Sequence, residues 1–335
     1  VSSSFLWVAA ARRLAVLAES QAEHTIAAPF AARAAEMADE AEAVYAVEGG
    51  AYCPYVHEED LSCAAPAPYE DVNTMPLWTG YQAPSSPAAL DNLDATIDAL
   101  GGGDGILVTP LPDMYVGWMG LPLEKGIYTG MSPGYFLQNL AAARHPLAEA
   151  AFNAMALHAT PGGTHPEYAV LDGPHPLQLN YEPTGAEPSD YTARYRPWEG
   201  AIDADAAVEY LFGLRPDAPG QRLSLAPSLP NGWSWSEARG IRVGASVLDF
   251  RVERRGGGLR CVLELLEGPA LDVDLELPWT DSGEGAGVTQ DAAAWAFEGE
   301  VNRYGAGLLR PAPVHLEPGA SHVLEARPDP FRRID

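Results

Sequence analysis

The apolar residues of this chain change period partway along, and that change limits the fold more than any other feature. Up to about Leu214 they recur every three or four residues. From about Gly220 they alternate. The first rhythm is that of amphipathic helices and the second that of strands with one buried face. Leu6, Ala10, Leu14 and Leu17 are expected to form the inner face of one helix. Phe30, Ala34, Met37, Ala41 and Val44 do the same for the next, until Gly49 and Gly50 stop it. In SSPAALDNLDATIDALGGG, Ser86 is a cap, Pro87 opens the helix, Gly101 ends it, and Leu90, Leu93, Ile97 and Leu100 form the stripe. Ser132 and Pro133 repeat that cap logic for SPGYFLQNLAAA; PLAEAAFNAMALHA and IDADAAVEYLFGL follow. The pattern therefore predicts roughly six helices, each with an apolar stripe.

The second rhythm runs through IRVGASVLDFRVER, GLRCVLELLEG, ALDVDLELPW, AAWAFEG, APVHLEP and SHVLEAR, with Gly, Pro and Asp clusters between them. This is the pattern of an antiparallel β-sandwich. Pro216, Pro219 and Gly220 mark the boundary. The expected fold class is α+β with two domains, a helical region at 1–214 and a β-sandwich at 215–335. Two connections, about 49–85 and about 160–200, are too long to be simple links. They are rich in Trp, Tyr, Pro and Gly, which favours ordered, functional loops.

Charge removes several function classes. The 46 acidic against 20 basic residues give a net charge of −26. That field repels nucleic acid and anionic membrane and suits neutral or cationic ligands. No apolar run approaches the roughly 20 residues of a membrane span. The N-terminus lacks a basic leader and carries Arg12 and Arg13 within its apolar run, so no signal peptide is expected and a cytoplasmic location is favoured. Cys53 and Cys63 read as free thiols, with pairing in an oxidising compartment as the alternative. Cys261 falls at a buried strand position. No Cys/His set has metal-ligand spacing, and no metal or cofactor is expected.

Three stretches carry a resemblance: YEDVNTMPLWTGYQAP, GGTHPEY, and YLFGLRPDAPGQRLSLAPSLPNGWSWSEARGIRVGASVLDFRV with its L-x-L-x-P-x-L-P-x-x-W core. Together they resemble glycoside hydrolases built on an (α/α)6 toroid with a C-terminal β-sandwich, rhamnosidase-like or glucosidase-like. The resemblance implies the C-terminal half of such an enzyme, because a complete toroid needs twelve helices. It implies that GGTHPEY presents the general base, Glu167, on the loop before the last helix. The general acid is then expected outside this chain, with a second chain or an N-terminal segment completing the toroid.

The residues themselves fit this chemistry. An inverting glycosidase needs one protonated and one ionised carboxyl, roughly 6.5–9.5 Å apart with a water between. Gly162 and Gly163 allow close backbone approach to a ligand, and Pro166 directs the chain into Glu167. Asp172 is a rival base and Asp71 the in-chain rival for the acid. Glu58, Glu59 and Asp60 read as a solvated face, and Glu124 beside Lys125 as an ion pair worth little. Trp78, Tyr81, Trp118, Tyr128, Tyr135 and Trp198, in or beside loops, are candidates to stack on sugar rings, with His165 bonding a hydroxyl. Each could instead be a core aromatic of a large helical fold. A carbohydrate-cleaving enzyme is the favoured reading. A disaccharide phosphorylase would use PGGTH as a phosphate cradle and need no base, which Glu167 and the acidic field oppose. A polysaccharide lyase would need basic residues for uronates. A non-catalytic carbohydrate-binding piece completes the alternatives.

Overall fold

In the computed structural model, which describes residues 2–63, 70–102, 105–106, 127–158, 168–170, 177–178, 197–279 and 286–328, the chain separates into two compact units. One comprises Val1–Ala143 and Leu147–Ala207; the other comprises Arg144–Pro146 and Val208–Asp335.

The first unit opens with α1 (Ser2–Ser20) and α2 (His24–Tyr45), joined by a short turn that folds one helix back on the other. Both helices were expected, but α1 buries the opposite face. Leu6, Ala10, Leu14 and Leu17 point to solvent, while Phe5, Val8, Ala11, Ala15 and Ala18 are buried. The helix carries two apolar stripes of the same period, and periodicity cannot choose between them. Packing selects the smaller side chains, which let α1 close against the alanine row Ala34, Ala38 and Ala41 of α2. Phe30, assigned inward by pattern, is exposed for the same reason.

The connection at 49–85 contains structure of its own. A disulfide joins Cys53 to Cys63, in place of the free thiols expected from composition. Two single-turn helices follow, α3 (Glu70–Asn73) and α4 (Met75–Trp78). Next comes α5 (Pro87–Leu100), where Ser86 Oγ accepts the Ala89 N–H at 3.2 Å, the expected cap. β1 (Gly101–Gly102) pairs with β2 (Gly105–Ile106). α6 (Ser132–Ala142) is buried from Ser132 to Ala141. Its N-cap position is Met131 rather than Ser132, and no side chain caps it. α7 (Ala148–His158) and α8 (Pro197–Phe212) are the remaining helices among the described residues, α8 starting five residues earlier than its apolar stripe suggests. The 160–200 connection is not loop throughout. Within it, β4 (Tyr168–Val170) and β5 (Leu177–Gln178) form an antiparallel sheet with β3 (Ile127–Thr129), in the order β3-β4-β5.

The second unit holds the alternating segments as strands. β6 (Arg215–Asp217), β7 (Arg222–Leu225), β11 (Leu271–Leu275) and β17 (Val314–Leu316) form one sheet. A six-stranded sheet is built from β8 (Trp235–Val243), β9 (Ser246–Arg255), β10 (Gly258–Glu267), β13 (Ala286–Gln290), β14 (Ala293–Ala294) and β18 (Ser321–Pro328). β12 (Leu277–Trp279), β15 (Phe297–Val301) and β16 (Gly307–Pro311) make a third. Alternate residues of all three meet in one core: Phe250, Leu263 and Leu324 from the six-stranded sheet, Leu223 and Val273 from the four-stranded, Leu309 from the third. One pairing departs from the all-antiparallel expectation. β7 runs parallel to β11, with Leu223 opposite Val273. Alternation reports which face is buried, not strand direction, so the sequence pattern is silent on this point.

Phe212 ends α8 inside this core. Gly213 then turns the chain at φ +56°, and a Cβ there would lie 2.6 Å from the Ala226 Cβ. Only glycine satisfies both the left-handed backbone and the close approach.

Candidate active site

The polar residues of the first unit are organised around α6. On one side Asn139 Nδ2 donates to the Thr74 carbonyl at 3.0 Å. Tyr135 meets Trp78 edge to face with ring centroids 4.9 Å apart. On the other side Gln138 Nε2 donates to Asp205 Oδ2 at 2.7 Å. Gly134 lies directly against α8, where a Cβ would sit 2.5 Å from Asp203 Oδ1. α6 therefore links the YEDVNTMPLW segment to the start of α8.

That segment is fixed from within. Asn73 Oδ1 accepts from the Tyr52 N–H at 2.7 Å and from Asn92 Nδ2 at 2.9 Å, while Asn73 Nδ2 donates to the Tyr52 carbonyl at 3.3 Å. One buried amide thus ties the disulfide-bearing segment, α3 and α5 together. Its hydrogen bonds offset the cost of burying it.

Three carboxylates are buried here that the sequence analysis did not single out: Glu70 on α3, and Glu199 and Asp203 on the first two turns of α8. Glu199 is 0% exposed. Burying a carboxylate is expensive unless it is paired, so acids kept in such positions mark structurally or chemically committed ground. A signal was present in PWEGAIDADAAVEY, where Glu199 and Asp203 are one helical turn apart and Asp203 interrupts an apolar run. Burial itself could not be read from that spacing, because exposed helix faces carry the same pairs.

The expected sugar-binding aromatics separate into groups. Tyr81 is only 5% exposed, in one core cluster with Phe5, Tyr52 and Tyr135, and Trp78 packs against that cluster. The Tyr81 hydroxyl donates to Glu42 Oε1 at 2.8 Å, as does the hydroxyl of Tyr52. Burial first, then the bond to Glu42, pushes both phenols well above their ordinary range, so both remain neutral donors. Trp198 is 52% exposed at the first turn of α8, beside the buried Glu199. Tyr128 lies on β3 opposite Ala169 of β4.

Glu167, His165, Trp118, Asp172, Glu124 and Lys125 lie outside the described residues, as does the side chain of Asp71. Among the described residues no group of three His, Cys, Asp or Glu could hold a metal ion, and no helix is long and apolar enough to cross a membrane.

No protein-family model matches the chain, and no curated protein matches it. Solved structures do. The chain is similar to the α-L-rhamnosidase of Dictyoglumus thermophilum, with 12% identity and a TM-score of 0.55 over 95% of this chain and 31% of that one. It is also similar to the native α-L-rhamnosidase of Aspergillus terreus, with 12% identity and a TM-score of 0.51 over 96% of this chain and 29% of that one. The chain thus spans about a third of the length of these enzymes. At this identity the likeness concerns the fold alone: an α+β chain with the fold of part of a rhamnosidase-type glycoside hydrolase.

Proposed function

We propose that this chain is the base-bearing part of an inverting glycoside hydrolase, with α-L-rhamnosides as the first substrate class to test. The observation that carries the reading is the likeness in fold to two α-L-rhamnosidases over nearly the whole chain. Glu167 is the general base, activating the water that attacks the anomeric carbon. A general acid, contributed from outside this chain, protonates the leaving oxygen. Trp78, Trp118, Tyr128, Trp198 and His165 contact the sugar. Tyr81 and Tyr135, expected to contact the sugar, have their rings in the core cluster against which Trp78 packs, with the Tyr81 hydroxyl on Glu42.

In the same reading the helical unit is about half of an (α/α)6 toroid, and the strands after it form the C-terminal sandwich. Further helices, from the same chain or a second one, complete the ring. The outward apolar stripe of α1 supports this. Leu6, Leu14 and Leu17 are exposed there, and Ile26 and Phe30 are exposed on α2. A helix apolar on both sides is normally covered on both. The Cys53–Cys63 disulfide favours an oxidising compartment over the cytoplasm.

The test is hydrolysis of aryl α-L-rhamnosides, whose activated leaving group needs least help from an acid. The chain should turn these over slowly and unactivated rhamnosides hardly at all, because losing one acid–base group costs about 10²–10⁴-fold. Glu167→Gln should remove the aryl activity while leaving sugar binding intact. Equal rates for the two proteins would reject Glu167 as the base.

A further inference from the structure

The NGWSW stretch before and within β8 is absorbed by none of the chemistry above, yet it places two tryptophans at the surface. Trp233 is 42% exposed and Trp235 is 48% exposed. In the six-stranded sheet Ser236 is buried and Trp235 faces out. The Arg254 N–H donates to the Ser234 carbonyl at 2.9 Å, so the ladder continues one residue ahead of β8. Trp233 stands two residues ahead of Trp235, at the end of a turn in which its N–H donates to the Pro230 carbonyl at 3.0 Å, so the two indoles lie close together along the chain.

The Trp235 indole and the turn that carries Trp233 are held by their surroundings. The Arg251 guanidinium lies 4.5 Å from the Trp235 ring centroid and occupies one face of the indole. The guanidinium of Arg254 bonds the carbonyls of Leu229, Pro230 and Trp233, fixing the turn that carries Trp233. Next to Trp235 the outward row continues as Glu253, Arg260 and Glu325 in direct register. Its charges are paired. Glu253 contacts Arg251 at 3.2 Å and Arg260 at 3.0 Å, and Arg260 lies 3.8 Å from Glu325.

We infer that this outward face, centred on Trp233 and Trp235, is a binding surface for neutral oligosaccharides. The chemistry selects the ligand. Indole faces fit the apolar C–H face of a sugar ring. The row of paired carboxylates and guanidinia beside them supplies both acceptors and donors for hydroxyls. Each carboxylate of the row has a guanidinium partner, Glu325 also meeting Arg255 at 4.0 Å and Arg327, so no bare carboxylate is left to recruit a cation. It is also a poor protein interface, since covering it would desolvate several ion pairs. The two half-exposed indoles offer apolar area on the order of 200 Å², against about 800 Å² per partner in a stable protein interface. The inference does not depend on Glu167.

The experiment titrates the full chain with neutral hexaoses of glucose, xylose, mannose and galactose and with an oligorhamnoside. It follows the indole N–H resonances by NMR, assigned through single Trp→Phe variants. The resonances of Trp233 and Trp235 should shift on addition of at least one of these sugars. Dissociation constants should be on the order of millimolar, typical of a small, solvent-exposed site. Trp233→Ala/Trp235→Ala should weaken that binding about tenfold or more and leave aryl rhamnoside turnover unchanged. Glu167→Gln should do the reverse. Unmoved Trp233 and Trp235 resonances with every probe would overturn the inference, and that readout needs no alanine variant to fold. So would undiminished binding by the double variant. Self-association of the chain that the double variant abolishes would overturn it too, assigning the face to a second copy instead.

Discussion

Replacing Arg144 with Met should destabilise the second unit by about 3 kcal/mol, the low end of the range for breaking a buried ion pair. Arg144 lies in the turn between α6 and α7 and is almost fully buried, with its side chain only 10% exposed. Its Nε donates to Glu276 Oε1 at 2.9 Å and its Nη2 to the Glu276 carbonyl at 3.1 Å. Its Nη1 donates to Ser228 Oγ at 3.1 Å and to the Pro227 carbonyl at 3.4 Å. Removing the guanidinium strands these acceptors. The loss stays below the full cost of an orphaned charge because Arg310 remains on Glu276 Oε2, at 3.0 Å from Nε and 2.7 Å from Nη2. The two partners respond to the pairing in opposite senses. Burial lowers the Arg144 pKa even beside Glu276. Burial would raise that of Glu276, but Arg144 and then Arg310 outweigh it and hold the carboxyl below its usual range. A guanidinium stays charged throughout the accessible range, so Glu276 governs the pH dependence. Its folded pKa is depressed, so its contribution is complete above the unfolded value, about 4.3, and is lost as pH falls through the folded value. Thermal unfolding of the full chain, followed by tryptophan fluorescence, reads the effect. Arg144→Met should lower the transition of the second unit by several degrees at neutral pH, and the gap should narrow below about pH 4. Arg144→Lys should not restore it, because an ammonium cannot reproduce the fork. A shift of less than about 1 °C, or a gap that acid leaves unchanged, would refute the reasoning.

Three further outcomes follow from single features. Gly134→Ala should lower stability by about 1–3 kcal/mol, because its Cβ would lie 2.5 Å from Asp203 Oδ1 and 2.8 Å from Ile202 Cγ2; circular dichroism melts indistinguishable from wild type would contradict the packing of α6 on α8. Cys53→Ser/Cys63→Ser should cost about 2–3 kcal/mol through the loop that the bond closes, and a thiol count on the unfolded, unreduced wild-type chain should find one free cysteine, Cys261. Cys261, fully buried in β10, has its thiol pushed up to about 12 by burial, so a disulfide reagent at pH 8 should modify it only after unfolding; rapid reaction in the native protein would place it elsewhere.

Local physics was enough for much of this molecule. The three-and-four spacing before Leu214 and the alternation after Gly220 yield helices and strands because each period follows from backbone geometry alone. Ser86 ahead of Pro87 does cap α5, since a cap needs only the next turn of chain. The candidate site was harder to read. Glu167 and its glycine turn stand out in the sequence because they break the surrounding pattern. Glu199 and Asp203 do not, because a carboxylate at helical spacing looks the same whether it faces water or is buried.

Tertiary structure decided what local signals leave degenerate. Either apolar stripe of α1 could have been the inner one; the alanine row of α2 settled it by admitting the stripe of Phe5, Ala11 and Ala15 at close range. Cys53 and Cys63 carry no pairing information by themselves, and the chain path between α2 and α3 brings them together. Tyr81 belongs to the core because Glu42, thirty-nine residues earlier in the sequence, meets its hydroxyl. Strand direction was equally hidden, and the parallel β7–β11 pair depends on a crossover of more than forty residues. In each case the determining contact joins residues ten or more positions apart in sequence. Periodicity, capping and turn chemistry report only on near neighbours, so they determine the elements and their apolar faces, and the fold decides which face is used.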